Sequence, residues 1–419
     1  MTDSAETKSP KSDEAIINSA NKLRAVSDFI VVGICTATVS ILAVGICAAL
    51  LKPHAAAQRD FIEYWAAGHQ ILHHTDPYDA NAILALEKTA GFPAGITAQV
   101  MGNPPWTLLL MLPLGLLGPM TGELLWVMLL IASLIASVQM LRTMHGKPNN
   151  LVHVLAYAFA PALSCILAGQ VSLFILLGLV LFYRFHRTQP FLAGVFLWLC
   201  LLKPHLFLPF GIVQLLWIVL NRHYLVLAGS ATALAATSAI ATAMNPRVWS
   251  QYIQMMRTER IDQLPLPCLS TMLRQYVYPH TTWLQCLPAV LGGLWAIAYF
   301  WKRREHWSWI ENGSLLMLVS VFVAPYSWFF DQAALIPAFL FAAYRTRSRT
   351  AISLLALTSA AIEIPVIRGL ELHSMFYLWT APAWLVLYLF VTRFAIANHE
   401  APLLTEPQGA TVGAATSNS

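Results

Sequence analysis

Arg59, Asp60 and Glu63 stand within about one helical turn of each other in 58-QRDFIEYWAAGHQILHHTDPYD-79, a stretch with four acids, one arginine and three histidines. Asp60 and Glu63, at i and i+3, share a face if the segment is helical. A carboxylate placed this way can accept a proton from a hydroxyl, and a nearby cation can hold an anion. Three more polar points interrupt apolar sequence. Gly169-Gln170 divides 166-ILAGQVSLF-174, Lys203-Pro204-His205 divides 199-LCLLKPHLFLPF-210, and Ser327, Trp328 and Asp331 lie in 324-APYSWFFDQAALIP-337. A lysine between apolar residues is costly, so it is either functional or snorkels to the interface. The proline after it points to a broken helix that aims the ammonium at an anion, with His205 as a second donor. Gln170 either bonds a neighbouring helix or reaches a ligand. Asp331 reads equally well as an N-cap for 332–344.

The elements that position these residues are membrane spans. The 419 residues are 58% hydrophobic and 11% charged, far from the balance of a soluble protein. Continuous apolar runs, rather than alternating ones, predict an all-α polytopic helical bundle and argue against a β-barrel. The runs are 27–51, 121–142, 151–168, 171–186, 191–202, 205–220, 224–244, 283–301, 310–328, 332–344, 351–366 and 376–392, which gives about 11–13 spans. The shorter run 104–118 opens with Pro104-Pro105 and reads as a re-entrant or half helix. Lys8, Lys11, Lys22 and Arg24 place residues 1–26 in the cytoplasm as a polar tail. Run 27–51 then reads as a retained signal anchor rather than a cleaved leader. Arg142/Lys147, Arg184/Arg187, Arg222, Lys302-Arg303-Arg304, Arg345/Arg347/Arg349 and Arg393 all fall on the same side. The opposite, extracytoplasmic face collects the 52–103 loop, Gly169-Gln170, Lys203-Pro204, the 245–282 loop and Asp331. Residues 60–72 read as an amphipathic helix lying on the membrane, with Tyr64 and Trp65 as interfacial anchors, and Asp76-Pro77 breaks it. Residues 398–419 read as a disordered tail.

The net charge of +5 has no basic cluster interleaved with aromatics, so nucleic acid is not an expected partner. The six cysteines lack metal-site spacing, and only Cys268 and Cys286, flanking a polar loop, are placed to pair.

Asp60 with its aromatic pair, Asp76-Pro77-Tyr78, Asn103-Pro104-Pro105, Gly169-Gln170, Lys203-Pro204 and Pro325-Tyr326-Ser327-Trp328 follow one another in an order that resembles glycosyltransferase family 87, over residues 55–340. The resemblance implies a C-type glycosyltransferase fold over 27–397, an extracytoplasmic active site in a multi-pass protein of the inner (plasma) membrane, and a polyprenyl-phosphate sugar donor, mannose by family default. The acceptor would be a lipid or glycan. Asp60 maps to the family's catalytic base. Arg59, Gln170, Lys203 and His205 are then candidates for the donor's phosphate and sugar. Glu63, Tyr64, Trp328 and Asp331 are candidates for sugar or acceptor. The chain departs from the family where relatives often carry histidine after Ser-Trp and this one reads 329-FFDQ-332. It departs again at Asn103-Pro104-Pro105, where tyrosine-proline is more usual. A glycosyl phosphate already has a good leaving group, so one carboxylate and one or two cations suffice for an inverting single displacement. Glycoside hydrolysis, with a poorer leaving group, needs paired carboxylates. No cofactor or metal is required, although Asp60 and Glu63 have the chemistry to bind a cation. A transporter or flippase, with Glu363 as an intramembrane acid, and a polyprenyl-linked glycan polymerase or ligase are the alternative readings.

Overall fold

The computed structural model describes residues 59–397, apart from 94, 96, 149, 259–265, 279–280, 347 and 373, and before them only positions 29, 33, 37, 40 and 44. The expected tails over 1–26 and 398–419, and most of the span expected over 27–51, lie outside the described residues. Within them the chain is helical throughout, with no strand.

Five described helices are long and apolar enough to cross a membrane: Pro119–Met144, Tyr224–Met244, Trp283–His306, Arg349–Ile367 and Met375–Arg393. The chain is an all-α polytopic membrane protein. The expected 11–13 full spans are not matched by that many uninterrupted helices among the described residues. Runs 191–202 and 205–220 form one pair, bent by 118° at Lys203. Runs 151–168, 171–186 and 310–328 hold the shorter helices Val154–Ala168, Ser172–Phe185 and Asn312–Phe322. Hydropathy registers how apolar a run is, but not where its helical hydrogen bonds stop. The expected half helix over 104–118 is a short 3-10 turn followed by the helix Leu108–Gly115, whose eight residues rise only about 12 Å.

The helix Phe61–Leu72 departs from its expected place on the membrane surface. Tyr64 is 1% exposed and Trp65 5%, and Trp65 donates to the Leu117 carbonyl at 2.9 Å. Both are packing residues rather than interfacial anchors. The reason lies in Gly68 and Gly115, where Phe61–Leu72 meets Leu108–Gly115. A Cβ on Gly68 would strike the Met111 carbonyl, and one on Gly115 would strike the Gly68 carbonyl. Small residues at such a crossing let two backbones touch, so the second helix closes over a face that would otherwise meet lipid.

Gly169 ends the helix Ala160–Ala168 in the left-handed region, φ +78. The amides of Gly169 and Gln170 both donate to the Cys165 carbonyl at 3.0 Å, a C-terminal turn that favours glycine. Phe61 packs directly against it, since a Cβ on Gly169 would come within 2.9 Å of the Phe61 Cβ. The turn therefore delivers Gln170 beside Asp60.

The break at Lys203 is held from outside. Its flanking 3-10 segments, Leu197–Leu202 and Pro204–Phe207, leave carbonyls that a regular helix would have bonded. Trp106 Nε1 donates to the Leu201 carbonyl at 2.9 Å, and Asn103 Nδ2 donates to the Leu202 carbonyl at 2.7 Å. Tyr78 in turn donates to the Asn103 carbonyl at 3.0 Å, and its own amide donates to Asp76 at 2.9 Å. The Asp-Pro-Tyr and Asn-Pro-Pro stretches thus brace the lysine.

Replacing Gly68 by alanine inserts a methyl at a backbone contact. The expected outcome is about 1–3 kcal/mol of destabilisation, read as a lower thermal midpoint in detergent, whereas alanine at the exposed Gly118, where a Cβ meets open space, leaves the midpoint in place.

Candidate active site

Phe61–Leu72, the turn at 169–170, the break at 203–205 and the segment 326–330 enclose a half-open cavity of about 760 Å³, within the usual size of a small-molecule site. Arg59, Asp60, Glu63, Tyr64, Gln170, Lys203, His205 and Trp328 all line it. Eight of the nine residues singled out in the sequence therefore meet at one place.

Gln170 is the centre of the wall. Its Nε2 donates to Asp60 Oδ2 at 2.9 Å and reaches Glu63 Oε1 at 3.5 Å. Its Oε1 accepts from the Tyr64 hydroxyl at 2.7 Å and from Lys203 Nζ at 3.2 Å. An amide has two donors and two acceptor positions, and all four are engaged. Asp60 occupies the N-cap position of its helix with helical φ and ψ and makes no capping bond through its side chain. Its carboxylate turns toward Gln170 and the cavity instead.

Lys203 carries the positive charge on the other side of that amide. Its ammonium lies 2.8 Å from Asp331 Oδ1 and 5.0 Å from the centre of the Phe330 ring. Asp331 is fully buried and absent from the cavity wall. It also accepts from the Ser172 hydroxyl at 2.7 Å and the Trp328 amide at 2.9 Å. One role expected of Asp331 is contact with sugar or acceptor; the structure sets its carboxylate behind Lys203 rather than on the cavity wall. Nor does Asp331 cap 332–344 from the N-cap position, because it lies inside the 3-10 segment Phe329–Leu335. What it does is hold Lys203. Two of the lysine's three N–H donors go to Asp331 and Gln170, and the third is left for the cavity.

Arg59 borders the cavity, but its guanidinium faces away. Nη1 meets Glu123 Oε1 at 2.6 Å, Nε donates to the Leu167 carbonyl at 2.5 Å, and Nη2 donates to the Ile166 carbonyl. The group caps the end of Ala160–Ala168 and ties it to the residue next to Asp60. The phosphate-holding role expected for Arg59 competes with these bonds. His205 stacks on Tyr326 with ring centres 3.6 Å apart, and its buried Nε2 has no partner among the described residues. Trp328 and Phe330 stack nearly parallel, 7° between planes, and both line the cavity.

The acids of the loop differ in proton affinity. Burial, reinforced by the charge of Asp60, pushes the Glu63 carboxyl up to about 8. Burial also raises Glu87 to about 7, where its carboxylate accepts the Gln99 amide at 3.1 Å. Around neutral pH Glu63 is therefore mostly protonated and able to donate a hydrogen bond. Burial and then the neighbouring acids hold the Tyr64 hydroxyl well above its ordinary value. No group of three or more His, Cys, Asp or Glu side chains able to hold a metal occurs among the described residues. Cys268 and Cys286 are both free.

Sequence reading missed Glu123, Gln99, Tyr252 and Glu371. Glu123 carried a signal, an acid inside an otherwise apolar span. Tyr252 belongs to the amphipathic helix Val248–Thr258, and Glu371 to the polar interval before the last span. Neither shows in the sequence that it folds back to the cavity.

The sequence model of glycosyltransferase family 87 matches residues 102–325, more than half of the chain. The match takes in Asn103-Pro104-Pro105, Gly169-Gln170 and Lys203-Pro204, and stops short of Asp60 on one side and Trp328 on the other. No curated protein and no solved structure matches the chain.

A raised folded-state pKa means that the folded protein binds more protons than the unfolded chain between the two values. Stability from Glu63 is thus full below about 4.5 and is lost as pH rises through about 8. Thermal midpoints measured from pH 5 to 9 are expected to fall for the wild type, and to fall less steeply for Glu63→Gln. Parallel curves for the two proteins would place the carboxyl's titration elsewhere.

Proposed function

Because this chain belongs to glycosyltransferase family 87, we propose that it moves a hexose, mannose in the first instance, from a polyprenyl-phosphate donor to a lipid or glycan acceptor on the extracytoplasmic face of the plasma membrane. The observation that carries this reading is the pairing of one carboxylate, Asp60, and one ammonium, Lys203, on either side of the Gln170 amide in a single cavity.

In this reading the acceptor hydroxyl approaches Asp60, which takes its proton as the oxygen attacks the anomeric carbon. The bond from that carbon to the phosphate oxygen breaks, and polyprenyl phosphate leaves with the electron pair. Lys203 meets the charge that grows on the phosphate with its remaining N–H. A donor fixed in advance at developing charge is the arrangement that most lowers such a barrier. One displacement inverts the anomeric centre. Gln170 keeps the base and the ammonium apart, so that neither is neutralised by the other. Protonated Glu63 donates to a sugar or acceptor hydroxyl, Tyr64 fixes Gln170 rather than touching substrate, and Trp328 offers a flat apolar face to a sugar ring.

The positive-inside pattern supports the choice of face. Pro119–Met144 begins beside Leu117, which accepts from Trp65 on the helix that carries Glu63 and Tyr64, and it climbs about 35 Å from Pro119 to Arg142. The basic loops thus mark the side away from the cavity.

The test is transfer from radiolabelled polyprenyl-phosphate-mannose to a native membrane-lipid extract by protein reconstituted in lipid. Wild type is expected to label an acceptor. Asp60→Asn is expected to lose about 10²–10⁴-fold in rate, and Lys203→Gln about 10²–10³-fold, with Asp60→Asn keeping its thermal midpoint. Undiminished transfer by Asp60→Asn would remove it as base. Transfer from a different polyprenyl-linked sugar alone would replace mannose and keep the mechanism.

A further inference from the structure

The end of the bundle remote from the cavity holds a second group of polar side chains that sugar transfer does not use. Arg142 lies in the last turn of Pro119–Met144, and His145 follows it. The helix Ile336–Arg345 brings Tyr344 alongside, and the approach to Val154–Tyr157 brings His153. The rings of His145 and Tyr344 are 5.1 Å apart. Arg142 is close enough for its charge to act on both Tyr344 and His153. The helices Pro119–Met144, Val154–Tyr157 and Ile336–Arg345 pack pairwise against one another, so the four side chains lie on adjoining segments.

Each of them hides a polar atom from solvent without a hydrogen-bond partner among the described residues: Arg142 Nε, His145 Nε2, His153 Nδ1 and the Tyr344 hydroxyl. His153 as a whole is only 8% exposed. Buried polar atoms are nearly always paired, so four unpaired ones on adjoining residues are unusual. Arg142 Nε and the Tyr344 hydroxyl are donors, and each imidazole nitrogen becomes one on protonation or in the right tautomer. The ionisable groups acting on His145, His153 and Tyr344 are Arg142, Arg345 and the Tyr157 phenol, with no carboxylate among them. Glu311, the acid that pairs with Arg345, is exposed. Unpaired donors on adjoining segments beside the positive charge of Arg142 suit a tetrahedral oxyanion, whose several acceptor oxygens can serve more than one of them.

We propose that Arg142, His145, His153 and Tyr344 form a phosphate-binding site at the end of the bundle opposite the cavity. The phosphate is either the headgroup of an anionic phospholipid, at the level where the spans leave the bilayer, or a free phosphate from solution. Binding there joins three separate segments, 142–145, 153 and 344, through one ligand.

Full-length protein, delipidated in an uncharged detergent, is the material for the test. Native mass spectrometry reads retention of added phosphatidylglycerol against a diacylglycerol of the same acyl chains, and a thermal-shift titration reads inorganic phosphate. Retention of phosphatidylglycerol but not of diacylglycerol, weakened about tenfold in Arg142→Gln and in His153→Gln, identifies a lipid headgroup site. A higher midpoint with millimolar phosphate in wild type, absent in both variants and without lipid retention, identifies a free-anion site. If Arg142→Gln does not fold, His153→Gln carries the comparison. The proposal is overturned if neither ligand binds wild type, or if variants that keep the wild-type midpoint bind as wild type does.

Discussion

The side-chain amide of Gln170 keeps two acids and a lysine in one wall without letting them collapse onto each other. Four groups from two parts of the chain, residues 60–64 and Lys203, converge on its two polar atoms. With both donors and both acceptor positions in use, the amide has one orientation that satisfies every partner. The geometry in turn depends on a backbone condition. Gln170 reaches Asp60 because Gly169 turns left-handed and lies against Phe61, a close approach that a side chain at 169 would block.

The ammonium of Lys203 obeys the same logic at greater cost. A cation near the bilayer must be paired, and Asp331 pairs it from below, itself supported by Ser172 and the Trp328 amide. A buried pair of this sort is sensitive to the loss of either member, because the survivor is left charged and unpaired. The broken helix that carries the lysine is similarly dependent on its neighbours. Asn103 and Trp106 accept the task of satisfying its loose carbonyls by donating to them, which is how a helix can be interrupted at membrane depth. Substrate-facing chemistry and backbone repair are thus built from the same short motifs.

Arg59 and Glu123 show how a charge beside a cavity need not belong to its chemistry. The guanidinium closes the end of Ala160–Ala168 and ties it to the start of Phe61–Leu72, so the two elements that present Gln170 and Asp60 move together. Proximity to Asp60 in sequence suggested a ligand contact for Arg59, whereas its guanidinium is bonded to Glu123 and to the carbonyls of Ile166 and Leu167.

The sequence by itself determined that the chain is an all-helical membrane protein, and it singled out Asp60, Gln170 and Lys203, which the fold brings to one cavity. Ionisable and amide groups stand out against apolar runs because burying them is expensive, and that expense is visible residue by residue. The breaks at Gly169 and Lys203 were legible for a similar reason, since glycine and proline announce where regular hydrogen bonding stops. Tertiary structure alone decided the rest. It buried the helix 61–72 through the Gly68–Gly115 contact, placed Asp331 beneath Lys203 instead of in the cavity, and turned Arg59 toward Glu123. It also brought Tyr252 and Glu371 to the cavity from distant segments. Each of these is a matter of which way a side chain points and what lies across from it. Local composition carries no information about a partner a hundred residues away, and the physics of burial acts only once that partner is in place.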